Sequence, residues 1–314
     1  MSAQTLRLGS RMSMMAIAQS RRVAGKITER AGRPVEVVGV MTPGDVSRAQ
    51  LAQIGGAGVF VGALREALLG GEVDLAVHSL KDLPTGSAAG IVLAAVPPRD
   101  DPRDALVARD GAKLADLPSG ARIGTGSTRR AAQLLSLRGD LRCVPIRGNA
   151  DTRLGKVDSG ELDGVVLAYA GLARIGRVDA VTQVFEPDEM LPAPGQGALA
   201  VECRDGEPEL AALLGAVTGQ AGLAAVTAER SLLEALEAGC SAPVGAYAAG
   251  TEPLWMRAAV ISADGSRVLR VHGATPLASP SALTEARRLG SELAAELLCS
   301  GARNLIKAPG RDMP

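Results

Sequence analysis

Short β-like runs alternate with helical stretches along the first two-thirds of this chain. The alternation stops at a Pro-rich, charged segment and then starts again. LRLGS (6–10) has the composition of a strand and MSMMAIAQSRRVAGKITER (12–30) that of a helix. VEVVGV (35–40), a helix in VFVGALREALLGG and VDLAVHSL (73–80) continue the order. The polar, Gly-rich stretch 41–58 reads as a long mobile loop. AAVPPRDDPRDALV (94–107) carries the Pro and charge cluster of a domain crossing, after which ARIGTGS, LRCVPIRG and DGVVLAYAG (163–171) read as strands with helices between them. LPAPGQGALAVECR (191–204) reads as the return crossing into a strand. A βαβα rhythm of this kind specifies a mostly parallel α/β sheet, and its restart specifies a second one.

From about 217 the pattern changes. A helix (223–238) precedes the turn EAGCSAPVGA, and 254–273 reads as an antiparallel hairpin turning at Ala263-Asp264-Gly265, with a closing helix at 281–299. The expected architecture is α/β, two lobes plus a smaller α+β third domain. Its boundaries are lobe 1 at 1–97 plus 198–216, lobe 2 at 98–197 and the third domain at 217–314.

Composition excludes several functions. Lys plus Arg and Asp plus Glu are 34 each, so no net positive footprint for nucleic acid exists. Aromatic residues are 2% of the chain, too few for base-stacking platforms. No apolar run approaches the ~20 residues of a membrane span. Four scattered cysteines and two histidines make neither a zinc site nor a disulfide framework, so no metal is expected. These features describe a reduced, soluble, cytoplasmic protein.

The chemistry-bearing residues cluster where strands end. In GTGSTRRAAQLL (124–135), Ser127 or Thr128 can cap a helix whose first turn then holds Arg129 and Arg130. Cations there oppose the helix dipole, and a docked anion would reverse the sign of that interaction. PIRGNADTRLGKV (145–157) puts Arg147 at a strand end and Arg153 in the next helix, with Asn149 or Asp151 as cap. GSRMS places Arg11 and Ser13 at the first strand-to-helix turn, and AGLARIG adds Arg174. Ligands of open α/β sheets bind beyond the carboxyl ends of the strands. The arginine fork suits carboxylates or phosphates, and the absence of a P-loop sequence disfavours a nucleoside triphosphate. A ligand with several separated carboxylates fits best. DLAVHSLKDLPT (74–85) ends another strand with Ser79, Lys81 and Asp82, a carboxylate able to hold an N–H or a developing cation, while His78 falls inside the strand and reads as structural. Cys240 lies among small residues, where packing has little use for a thiol.

These stretches, with GGAGVFVGALREALL, PAPGQGALAVECR and ERSLLEALEAGCSAPVGAYA, resemble the porphobilinogen deaminase (hydroxymethylbilane synthase) family over essentially the whole chain, in order and spacing. The resemblance implies two lobes like those of periplasmic binding proteins and a third domain bearing Cys240. It implies a dipyrromethane cofactor joined to Cys240 by a thioether, and Asp82 as the catalytic carboxylate. Ser79, Lys81, Thr125, Ser127, Arg129, Arg130 and Arg147 would hold the cofactor. Arg11, Ser13, Phe60, Arg153, Arg174 and Gln196 would hold substrate, and the loop 41–58 would act as a lid. The implied activity is the deamination and head-to-tail joining of four porphobilinogen molecules by a cytoplasmic monomer, without nucleic acid or membrane. The chain departs from the family at MSMMAIAQ, where Pro-Leu usually follows the serine. A rival reading, a non-enzymatic anion-binding module on the same architecture, would need neither Asp82 nor Cys240.

Overall fold

The computed structural model describes residues 4–41, 57–239, 241–278 and 280–307, the side chains of 57–60 and 307 excepted. Cys240, most of the expected lid and the Phe60 side chain lie outside the described residues. The chain divides into two compact units, Met1–Asp100 with Ala198–Leu223, and Asp101–Gly197 with Ala224–Pro314.

The first unit holds β1 (Leu6–Ser10), β2 (Val35–Gly39), β3 (Leu75–Ser79), β4 (Ile91–Ala95) and β10 (Leu199–Arg204) in the order β2-β1-β3-β10-β4. β1 runs parallel to β2 and β3, whereas β10 is antiparallel to both of its neighbours. Both faces of the sheet are covered. The helices Met14–Ala31 and Pro208–Gly215 pack with Leu8, Val23, Ile27, Leu75, Val201 and Leu214 on one face; Ala57–Leu69 packs with Leu64, Leu68, Val73 and Ala76 on the other. This two-sided burial is why LAVHS is an apolar run rather than an alternating one.

The second unit repeats that strand order with β5 (Asp104–Ala108), β6 (Arg122–Gly124), β7 (Arg142–Val144), β8 (Gly164–Ala168) and β9 (Gln183–Val184), arranged β7-β6-β8-β5-β9. As in the first sheet, four strands run the same way, and the one that follows the crossing, β5, is reversed, antiparallel to β8 and β9. Each sheet is therefore mostly parallel in strand direction, four strands to one, as the sequence rhythm specifies, with a single reversed strand: a strand entered from a crossing escapes the βαβ rule that makes helix-linked neighbours parallel. The same unit carries a third sheet, β11 (Val244–Ala249), β12 (Leu254–Ile261) and β13 (Val268–Thr275), fully antiparallel. Its hairpin turns at Asp264, whose carboxylate accepts from Ser262 Oγ and Ser266 N, and Gly265 supplies the left-handed φ of 73°. The helices Gln220–Ala235 and Ala282–Cys299 cover this sheet through Ala228, Leu232, Leu289 and Leu293. They cross so closely that a Cβ on Gly290 would lie 2.1 Å from the Ala228 carbonyl. Ala132, Leu191, Ala259 and Ile261 form a further core that joins the third sheet to the helix Thr128–Leu137.

Two elements differ from the sequence reading. The crossing is shorter than 94–107, because Ala94–Ala95 close β4 and Asp104–Val107 belong to β5. Tyr169–Gly171 are not strand: β8 ends at Ala168 and the helix Tyr169–Arg174 starts at once.

Candidate functional site

In the first unit, register brings two groups of expected site residues to one sheet edge. β1 and β3 are parallel neighbours with Gly9 opposite Ala76, so Arg11 and Ser13 leave β1 beside the residues that leave β3. Ser13 caps the helix Met14–Ala31, accepting from Ala16 N at 3.3 Å. β3 runs into a single tight turn, Leu80–Asp82, closed by Leu83 N donating to Leu80 O. Pro84 stops further ladder pairing. Ser79 and Lys81 are half-buried and Asp82 is exposed.

Behind that strand end lies a buried ionic cluster. Glu202 on β10 takes a two-pronged bond from Arg65, 3.0 Å from Nε and 2.7 Å from Nη2, and its Oε2 is 3.2 Å from His78 Nε2. Burial pushes the Glu202 carboxyl up, but His78 and Arg65 outweigh it and hold it at about 2. His78 is thus a core residue that ties β3 to β10 and, through Glu202, to the helix Ala57–Leu69.

In the second unit, β6, β7 and β8 are parallel neighbours, so the turns after them share one edge. The turn after β6 is GTGS. Thr125 is buried and its hydroxyl accepts from Ser127 N at 3.2 Å; Ser127 is the N-cap of Thr128–Leu137, accepting from Arg130 N at 3.4 Å. Gly126 is required, since a Cβ there would lie 2.7 Å from the Ile146 carbonyl. After β7, Arg147 is exposed and Asn149 caps the helix Ala150–Asp158 through Thr152 N at 2.8 Å. Arg153 donates from Nε to Gly148 O at 2.9 Å, and Arg174 from Nη2 to Gly197 O at 2.7 Å. Burial, and then the charge of Arg130, pull the Arg153 pKa below its usual value, so these two guanidiniums share one electrostatic neighbourhood.

Arg129 and Arg130 are 3% and 6% exposed, so they are buried cations rather than solvated surface residues. Both rest on Asp104, which opens β5 and is fully buried. Arg130 donates to Asp104 Oδ1 from Nε at 2.9 Å and from Nη2 at 2.8 Å. Arg129 Nη1 lies 2.8 Å from Oδ2, while its N–H bond goes to Leu191 O at 2.5 Å. Burial pushes the Asp104 carboxyl up, yet the two guanidiniums together hold it well below the usual carboxylate range. Gln196 is also buried: its amide donates to Asp104 Oδ1 at 2.8 Å and to Pro102 O at 2.6 Å. Gln133 exchanges a pair of bonds with the Leu191 backbone, at 2.9 and 2.8 Å. Two guanidiniums against one carboxylate leave one positive charge over, and Arg129 Nε is buried without a hydrogen-bond partner. The arrangement is an anion-seeking one, at a helix N-terminus.

Sequence reasoning singled out neither Asp104, Gln133 nor Glu229. Glu229, fully buried on the helix Gln220–Ala235, accepts from Gly195 N at 2.7 Å and Ala248 N at 2.9 Å, fastening the PAPGQG segment to β11. Among the described residues no group of three or more His, Cys, Asp or Glu is placed to hold a metal ion, and no single helix is long and apolar enough to cross a membrane. Cys143 is half-buried and Cys203 buried, and burial pushes both thiols up to about 11; Cys299 is exposed.

A family model described as the porphobilinogen deaminase dipyromethane cofactor binding domain matches residues 6–212, and one described as the porphobilinogen deaminase C-terminal domain matches 223–299. A porphobilinogen deaminase of Thermobifida fusca is 59% identical over 98% of this chain and 97% of its own. Porphobilinogen deaminase 1 of Streptomyces coelicolor is 54% identical over 98% of each chain, and a porphobilinogen deaminase of Mycobacterium tuberculosis is 50% identical over 96% and 98%. Among solved structures, the methionine-binding protein MetQ aligns with a TM-score of 0.44 at 13% identity, over 70% of this chain and 90% of that one.

Proposed function

The chain belongs to the porphobilinogen deaminase family, and from that premise we propose how its own residues carry out the reaction. The activity is the deamination and head-to-tail joining of four porphobilinogen molecules on a dipyrromethane primer, with release of hydroxymethylbilane. When bound to Cys240, the primer supplies the pyrrole carbon that is extended. The residues fit such a group: an acidic oligopyrrole needs cationic partners, and Arg129 and Arg130 carry one charge beyond what Asp104 neutralises, with a buried N–H unsatisfied.

Arg129 and Arg130 bind carboxylates of the primer, fixed in place from behind by Asp104 and Gln196. Ser127 and Thr125 shape the helix start that presents them, and Arg147, Ser79 and Lys81 add contacts. Arg11, Ser13, Arg153 and Arg174 take the acid groups of incoming and growing rings; Phe60 and Gln196 complete the substrate set, Gln196 acting through Asp104. Each new ring brings two carboxylates, which accounts for arginines in this number.

Asp82 is the catalytic carboxylate. Loss of ammonia leaves positive charge on the pyrrole, and a fixed carboxylate against that ring lowers the barrier by stabilising the charge as it develops. The same group accepts the pyrrole N–H and can take up the departing proton. We read the chain as three domains, 1–97 plus 198–216, 98–197 and 217–314, supported by three separate sheets and two family models. The reading carries with it a cytoplasmic monomer that acts on a small acid, with neither nucleic acid nor membrane as partner.

The single observation that carries the reading is the buried Arg129–Arg130 pair, with its surplus charge at a helix N-terminus. The test is intact-protein mass measurement before and after porphobilinogen. An adduct of two deaminated units on Cys240, lengthening when substrate is added, is expected; a chain that stays unmodified under both conditions overturns it in favour of a binding module.

A further inference from the structure

Ser241, the residue after Cys240, is held by a side chain that no functional reading has used. Thr128 Oγ1 donates to the Ser241 backbone carbonyl. Thr128 is the first residue of the helix whose next two residues are Arg129 and Arg130. The bond spans 113 positions of sequence and joins the cysteine turn to the first turn of the arginine helix.

The surroundings give this contact its meaning. The elements on either side of the turn are already anchored to the PAPGQG segment: Glu229 on the preceding helix accepts from Gly195 N, and Ala246 N on β11 donates to Pro192 O at 2.9 Å. That segment is in turn anchored to the arginine helix, because Leu191 O accepts from Arg129 and Gln133. The turn between these anchors has only small residues: Ala242 N donates to Gly239 O at 3.0 Å and Val244 N to Ala242 O at 2.8 Å, and its far end is tied to β12 by Ile261 N, which donates to Pro243 O at 3.1 Å. These bonds fix the ends of the turn and do not by themselves set the height of Ser241 over the arginines. A bond to a backbone carbonyl does, because a carbonyl cannot swing away as a rotamer can. The β-branched threonine is well suited to it, since few χ1 wells are open to it in a helix.

We propose that the Thr128 hydroxyl is a positioning residue for the reaction: it registers the primer-bearing turn against Arg129 and Arg130, so that a group attached at residue 240 meets the guanidiniums one residue along the helix from the latch. The proposal rests on the reading of Cys240 as the primer's attachment point. Thr128 touches no reacting atom; it acts through the backbone of Ser241.

Thr128 is exposed, so its substitution leaves the core intact. Thr128→Val keeps the shape and removes the donor; Thr128→Ser keeps the donor. In purified full-length enzyme carrying its primer, Thr128→Val is expected to lower kcat by about three- to tenfold, the worth of one neutral hydrogen bond. KM for porphobilinogen should hold within about twofold, because the bond does not touch the residues that bind incoming substrate. Amide exchange in the peptide 239–244 should rise while the melting temperature stays put, and Thr128→Ser should restore both kcat and protection. A Thr128→Val enzyme with unaltered kcat and exchange overturns the proposal, as does a Thr128→Ser enzyme as impaired as the valine variant. A wild-type chain with no adduct on Cys240 removes the functional reading and this proposal with it; an adducted wild type beside an unimpaired valine variant removes this proposal alone.

Discussion

Replacing Asp104 by asparagine tests the electrostatic heart of the second unit. The change keeps the shape of the side chain and one carbonyl-type acceptor for Arg130, but it deletes the only negative charge described within contact of both buried guanidiniums. Removing one partner of a buried ion pair costs about 3–5 kcal/mol, because the remaining charge is stranded in a low dielectric. Here two charges are stranded and repel each other, which puts the expected loss at the upper end of that range. Hydrogen bonds from Arg130 to Gln196 Oε1 and the Val166 carbonyl, and from Arg129 to the Leu191 carbonyl, survive and keep it from going higher. The melting temperature should fall by on the order of 10 °C. Urea unfolding at several pH values is the assay. The folded Asp104 carboxyl titrates below its unfolded value, so its contribution is complete above the unfolded pKa of about 4 and fades as pH falls below it. The gap between wild type and Asp104→Asn should therefore be constant from pH 7 down to about 5 and narrow in stronger acid. Added salt should barely change it, whereas the exposed cluster of Arg288 with Glu285 and Glu292 is screened. A loss below about 1 kcal/mol at pH 7 would refute the reasoning, since it would mean that water or rearrangement relieves the arginines without their counter-ion.

Other outcomes follow from the same structure. Asp82→Ala should leave the melting temperature unchanged, because the side chain is exposed, while steady-state turnover of porphobilinogen drops by about a hundredfold or more; near-normal turnover removes Asp82 from the chemistry. Arg147→Lys exchanges a fork for a point charge and should raise KM several-fold with an intact fold, measured by initial rates; unchanged kinetics make Arg147 a bystander. Gly290→Ala should destabilise by about 1–3 kcal/mol in thermal unfolding, because the new methyl meets the Ala228 carbonyl at the helix crossing and backbone cannot yield as a side chain does.

What the sequence disclosed was local, and what it withheld was long-range. Ser127 (or Thr128) and Asn149 (or Asp151) could be read as helix caps because a cap needs only its next three residues; Ser127 and Asn149 accept the cap bonds, as does Ser13, which the sequence placed only at a strand-to-helix turn. Arginines at strand ends were legible for the same reason: strand, turn and helix start are contiguous. The direction of β5 and β10 was not, since nothing within a five-residue apolar run says from which end the chain enters the sheet. The strand β5 itself was hidden behind the Pro and charge cluster of the crossing, and with it Asp104. Yet a constraint was present all along. Two adjacent arginines at a helix N-terminus fight the dipole and each other, and they can be buried only if an acid from elsewhere meets them. The chain holds 34 acids, and no pattern marks which one answers. Strand order decides. β5 pairs with β8, its first residue opposite Ala168, and this sets Asp104 at the same edge from which the arginine helix begins, with Arg130 Nη1 reaching the Val166 carbonyl on that neighbouring strand. The acid that makes the pair possible is therefore a product of topology, and so is the Thr128–Ser241 bond. In each, a residue whose own neighbourhood says little acquires its meaning from the strand or turn that the fold lays against it.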